Sequence, residues 1–144
     1  MDPQELAERV SAKMGGGDAA ASLLGIRLEE VRPGYARMRM LVTPDHANGH
    51  AMCHGGMIFA LADTAFAHAC NSRNVATVAA GADISFLSPA KVGEELEAIA
   101  IERALGGRTG LYDIEIIETE SRRRVALFRG RSHALHRQVL SEHE

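Results

Sequence analysis

The stretch "HANGHAMCHGGMIFALADTAFAHACNS", His46 to Ser72, decides the fold. From Met57 onward it is apolar at almost every position, so it reads as a helix buried on every side. Such a helix needs cover around its whole circumference. Asp63 stands in its middle, where a carboxylate is costly unless it is paired or used. A cluster of His, Cys, Asn and Gly precedes it, and Gly55-Gly56 leads in.

Upstream, "DPQELAERVSAKMGGG" has Asp2 as an N-cap, Pro3 at the first helical position and Glu5 three residues after the cap. Leu6, Val10 and Met14 recur at four-residue spacing, which predicts a short amphipathic helix ended by Gly15–Gly17. "DAAASLLG" predicts a second short helix, capped by Asp18 and closed by Gly25. "IRLEEVRPGYARMRMLVTP" reads as a hairpin turning at Pro33-Gly34, with alternation from Tyr35 to Val42.

Downstream, "VATVAAGADISFLSP" is a long strand stopped by Pro89. "EELEAIAIERALGG", "RTGLYDIEIIETE" and "RRVALFRGRSHALH" are three more. No βαβ alternation occurs, so the sheet is expected to be antiparallel and to wrap the apolar helix. That is the α+β hotdog fold. One domain over 1–144 is expected: a helical segment 1–24, a core 25–135 and a tail 136–144.

Composition narrows the function. The chain has 144 residues, 46% hydrophobic and 24% charged, enough for a core without staples. A net charge of −3 argues against nucleic-acid binding. "GGMIFALA" is too short to span a bilayer, and "MDPQELAERV" lacks the apolar core of a signal peptide. Two cysteines, Cys53 and Cys70, make no disulfide framework, so a reducing cytoplasm is expected.

If Gly55-Gly56 open the helix, their N–H groups lack intrahelical partners and carry the positive end of its dipole. Glycine lets a ligand approach closely, an arrangement suited to a developing oxyanion. The plainer alternative is a tight loop-to-helix join. Asp63 lies eight residues beyond Gly55, roughly 12 Å along a helix. One carbonyl cannot touch both on the same helix. If they act together, two antiparallel helices must share a site in a homodimer. The plainer reading of Asp63 is a carboxylate satisfied locally, by backbone N–H groups, Thr64 or His68.

"NGHAMCHGGMIFALADTAFAHACNS", with "DISFLSPAKVGEELEA", "GRTGLYDIEI" and "ALFRGRSH", resembles the PaaI-type hotdog acyl-CoA thioesterases of phenylacetate degradation over about residues 20–135. The resemblance implies that Asp63 is the catalytic carboxylate, acting as general base or nucleophile. It implies that the Gly55 N–H polarises the thioester carbonyl. His54 and Asn48 then shape that end of the site, and Thr64 helps orient the carboxylate or its water. It further implies an acyl-CoA substrate, often aryl-acetyl, a dimer with composite sites assembled as a dimer of dimers, and no metal or redox cofactor. Coenzyme A is part of the substrate. A thiolate leaves readily, so one carboxylate and one N–H dipole suffice.

Other features fit less well. His46, His50, Cys53 and His54 cluster, but a zinc site's second ligand pair is missing. Cys53 beside His54 has no third orienting group for a thiol nucleophile. Arg129 and Arg131 alternate on one strand face, and Arg108 sits in "GGRTG"; each is a solvated cation or a contact for coenzyme A phosphates. Ser85 and Phe86 line an acyl or pantetheine channel, or Phe86 is plain core. Two alternatives stay open: a hotdog hydratase or dehydratase, which needs a His and an acid poised at Cα–Cβ, and a non-catalytic acyl-CoA sensor.

Overall fold

The computed structural model describes residues 1–144. Two short helices open the chain, α1 (Pro3–Gly17) and α2 (Ala19–Leu24). Strands β1 (Arg27–Arg32) and β2 (Tyr35–Leu41) precede α3 (Gly55–Asn71). Four strands follow: β3 (Val75–Phe86), β4 (Glu95–Gly106), β5 (Thr109–Glu118) and β6 (Arg124–Gln138). They form one six-stranded sheet in the order β1-β2-β4-β5-β6-β3, every neighbour antiparallel. This is the hotdog fold that the sequence predicts. No helix is long and apolar enough to cross a membrane.

Local chemistry explains most boundaries. Asp2 accepts from Glu5 N–H at 2.9 Å and starts α1. The glycines do not end it. The helix runs through Gly17 and breaks at Asp18, whose carboxylate caps α2 by accepting from Ala21 N–H at 3.0 Å. Three glycines lower helix propensity by about 1 kcal/mol each without forbidding the conformation, so the competing cap decides the break. Gly34, at φ 73°, follows Pro33 as a type II turn requires, and its N–H donates to Ser72 Oγ at 2.8 Å. β6 continues to Gln138, beyond the expected end of the core, and Leu140 behind it is buried.

The core lies between α3 and the concave sheet face. Leu61, Phe66 and Ile58 of α3 meet Leu96, Ile114, Ile116 and Phe128. Each such side chain contributes about 1.5–3 kcal/mol by leaving water. The Phe66 ring lies over β6, where a Cβ on Gly130 would sit 2.8 Å from it, so only glycine leaves the ring its place.

The sheet does not close around α3, which corrects the expectation that the strands alone cover the helix. Part of the cover comes from α1. There Ser11 Oγ and His68 Nδ1 are 2.8 Å apart, both residues buried. Another side of α3, carrying Asp63, stays half-open beside β3. β3 is an edge strand of 12 residues with Val75, Val78 and Phe86 exposed. A long apolar edge of this kind is a template for pairing with another chain.

The His68 latch makes a prediction. Burial pulls its imidazole below the ordinary value, opposed by the Asp18 charge. The folded value lies below the unfolded one, so the stability it contributes is complete above about pH 6.5 and is lost as the pH falls further. Ser11→Ala, which strands a buried ring nitrogen, is expected to cost about 1–3 kcal/mol in denaturant titrations. Unchanged stability in that variant, or a flat wild-type profile from pH 7 to 5, would contradict the latch.

Candidate active site

The N-terminus of α3 is shaped by the loop before it. Asn48 Oδ1 accepts from His50 N–H at 2.8 Å and Met52 N–H at 3.2 Å, folding the loop back on itself. Ala51 at its tip has φ 60°. Backbone bridges from Ala47 to Cys53 and from Met52 to Lys91 fix the way out. His54 is then the N-cap of α3, and its Nδ1 accepts from Gly56 N–H at 3.0 Å. The neutral ring therefore carries its proton on Nε2.

The Gly56 donor is thus occupied. The Gly55 N–H has no acceptor in the chain, so it is the free donor at the positive end of α3. The Phe86 ring explains the glycine: a Cβ on Gly55 would lie 3.1 Å from its edge. Asn48, Gly55 and Phe86 line one cleft of ≈ 390 Å³ with Met52 and Leu87.

Asp63 lies elsewhere. It lines an apolar cavity of ≈ 430 Å³ with Met14, Phe66, Cys70 and Val78. None of the expected local partners satisfies it. The Thr64 hydroxyl donates to Ala60 C=O at 2.7 Å, one turn back, and His68 is held by Ser11. Burial raises the Asp63 carboxyl above its usual value, and the Asp18 charge adds to the rise. A half-buried carboxylate with no donor and a raised proton affinity is a functional-site signature.

Gly55 and Asp63 do not meet within one chain. Their cavities are distinct, yet both are walled by the free edge strand β3, at opposite ends. Ala76 to Ala79 flank the Asp63 cavity, and Phe86 to Ser88 flank the Gly55 cleft.

The remaining expected residues scatter. Ser85, next to Phe86, faces the convex side of the sheet in a groove with Ile99, Ile101 and Leu127. Arg129 on that side is held by Asp113 through two bonds of 2.7 and 3.0 Å. Arg131 packs over Gly81, with Asp83 3.9 Å away. Arg108 stands in the β4–β5 turn, unpaired, beside a smaller cavity. Met14, which the sequence marks only as a helix-face apolar residue, and Cys70, marked only as a free thiol, line the Asp63 cavity with Arg137. Cys70 was findable, since it lies two turns after Asp63 on the same helix face. Nothing in the sequence marks Arg137.

The His/Cys cluster is drawn apart. His46 turns its Nδ1 to Thr43 N–H at 3.0 Å and His54 turns its own to Gly56; no group of three metal-binding side chains converges. Burial pushes the Cys53 thiol up to about 11, so it is protonated at neutral pH and a poor nucleophile. Cys53→Ser and treatment with a chelator are each expected to leave turnover within about twofold of the untreated protein. Inactivation reversed by added zinc would overturn this.

Residues 50–125 match the family described as the Thioesterase superfamily. Acyl-coenzyme A thioesterase PaaI of Escherichia coli K12 is 49% identical over 118 residues, covering 82% of this chain and 84% of that protein. The structure of the E. coli PaaI protein from the phenylacetic acid degradation operon superposes with a TM-score of 0.92 at 44% identity, covering 95% and 99% of the two chains. A Thermus thermophilus protein superposes with a TM-score of 0.78 at 36% identity, covering 82% of this chain and 98% of that one.

Proposed function

This chain belongs to the thioesterase superfamily, and from that membership we propose that it hydrolyses acyl-coenzyme A thioesters at a site shared between two subunits. The observation that carries the reading is Asp63, a carboxylate without a partner that lines an apolar cavity.

The shared site follows from the edge strand. Two β3 edges pair antiparallel about a two-fold axis near Ala82, midway between the two cavities that β3 walls. The Asp63 cavity of each chain then abuts the Gly55 cleft of the other. Pairing also covers the exposed apolar edge and satisfies its free backbone groups.

In each site the thioester oxygen accepts from the Gly55 N–H, aided by the α3 dipole. The Asp63 carboxylate of the other chain activates a water or attacks the carbonyl carbon itself. Coenzyme A leaves as its thiolate. His54 and Asn48 act by holding the loop so that the Gly55 N–H points outward. The apolar walls around Asp63 suit an aryl-acetyl group, phenylacetyl or a hydroxylated relative. Two dimers then join as a tetramer, for which the exposed Ile101 and Leu127 on the convex face offer apolar surface. The free thiols of Cys53 and Cys70 fit a cytoplasmic setting.

Thiol release from a panel of acyl-CoAs tests the proposal, with aryl-acetyl thioesters expected to turn over fastest. Hydration of an enoyl-CoA without thiol release would favour the hydratase alternative. Binding without any turnover would favour a sensor.

A further inference from the structure

Two charged groups stand at the free edge of β3 without a hydrogen bond in the chain, both on the convex face of the sheet. Asp83 is the first. Its register partner on β6 is Arg129, but that guanidinium is turned to Asp113 through bonds of 2.7 and 3.0 Å. Arg131 is the second. It stands opposite Gly81 and lies across it, so that a Cβ on Gly81 would be 3.2 Å from its Cζ. Gly81 thus lets a guanidinium of β6 reach over the outermost strand toward the open edge. Asp83 and Arg131 of one chain approach at a single contact of 3.9 Å, with side chains 75% and 55% exposed. That separation is beyond hydrogen-bonding reach.

Geometry limits how two such edges meet. A two-fold axis normal to the sheet returns each face to itself, so residues directly opposite each other must share a face. Faces alternate along a strand. Asp83 and Ser85 line the convex groove, whereas Ala82 and Ile84 pack toward the core. The axis therefore passes through a residue and never between two. An axis on Asp83 would set two carboxylates directly opposite, and like charges so placed are destabilising. An axis on Gly81 would set the two Arg131 guanidinium groups side by side. An axis on Ala82 sets each Asp83 opposite the partner's Gly81, beneath the partner's Arg131. Only Ala82 brings opposite charges together, and symmetry makes the contact twice.

We propose that Asp83 of each chain pairs with the partner's Arg131, and that these two ion pairs fix the register in which the β3 edges meet. Both are positioning residues for the reaction. Moving the axis by one residue slides one strand past the other by two, about 7 Å, which separates Gly55 from the partner's Asp63. Arg131 then serves the interface in place of the coenzyme's phosphates. The proposal rests on the shared-site reading and adds what aligns the two halves of that site.

The test mixes two full-length variants, Asp83→Lys and Arg131→Glu. Each homodimer sets like charges together at both contacts, so each variant alone is expected to lose at least about tenfold in kcat on phenylacetyl-CoA. In the mixed dimer the introduced lysine meets the introduced glutamate, and the native Asp83 meets the native Arg131. Native mass spectrometry is expected to find mixed dimers above about 80% of the total, against about half for random pairing. Turnover is expected to return to within about twofold of wild type. An ion pair confined to one chain leaves pairing random, because each chain carries its own like charges into every dimer; random pairing would overturn the proposal. Cysteine cross-linking reads the axis independently. Ala82→Cys sets two thiols directly opposite, within disulfide reach, and is expected to cross-link under mild oxidation. Ile84→Cys, held far from its counterpart by that axis, is expected not to. The reverse result, or no cross-link at Ala82→Cys, would also overturn the register. A monomeric wild type would bring down the shared-site reading itself, whereas a wild-type dimer whose variants pair at random sinks the ion pairs alone.

Discussion

Asp63→Asn is expected to lower turnover at least about a hundredfold, the scale of losing a catalytic base, while the protein keeps its fold. Asparagine matches the carboxylate in shape but neither activates water nor attacks a thioester. A second, opposite effect separates this residue from a structural one. Burial raises the folded-state value of Asp63, so ionisation there opposes folding. The penalty is absent at low pH and grows as the pH rises through the folded value. Asp63→Asn removes it, so the variant is expected to melt at or above wild type at neutral pH and to lose that advantage in acid. For the same reason wild-type kcat/KM is expected to fall on the acid side at a pH above the usual carboxylate range. Activity within a few-fold of wild type, or a variant that melts markedly lower, would remove Asp63 from the chemistry.

Mixing two inactive variants is expected to restore activity. Gly55→Pro deletes the one free N–H at the start of α3, a position where proline is tolerated. His54 before it is already extended, with ψ 135°, as a residue preceding proline must be. The nearest obstacle is the exposed Phe86 ring, which can turn aside. In a dimer of Gly55→Pro with Asp63→Asn, one site carries both defects. The other takes an intact Gly55 from one chain and an intact Asp63 from the other. Each mixed dimer is therefore expected to recover about half of wild-type turnover if the two sites are independent. Native mass spectrometry establishes that mixed dimers form. Mixed dimers that form and stay inactive, with both variants folded, would exclude the shared site.

Much of this was legible in the residues. A run apolar at almost every position marked α3 as a helix buried all round, and period 2 marked the strands, because each element must bury its apolar surface. The Pro33-Gly34 turn and the Asp2, Asp18 and Gly25 caps are local chemistry, settled within a few residues. The eight-residue spacing from Gly55 to Asp63 is also local. If the two act on one carbonyl, that spacing alone demands two helices for one reaction.

Other features depend on what meets across the fold. Gly15–Gly17 promised a helix end, but the Asp18 cap decided it. Thr64 and His68 were the natural partners of Asp63 by sequence, yet one turned to its own helix backbone and the other to Ser11, 57 positions away. Arg129 looked free until Asp113 on the neighbouring strand engaged it. Ser85 and Phe86 are adjacent in sequence but fall on opposite faces of the sheet, since side chains alternate along a strand. The sequence by itself determined the apolar helix, the antiparallel strands and the spacing of the proposed catalytic pair, because periodicity and spacing are properties of one segment. Only the tertiary structure decided which polar groups are left without partners, the Asp63 carboxylate and the Gly55 N–H among them. Hydrogen bonds are made between segments distant in sequence, so which groups remain unsatisfied is fixed only when all the segments have packed.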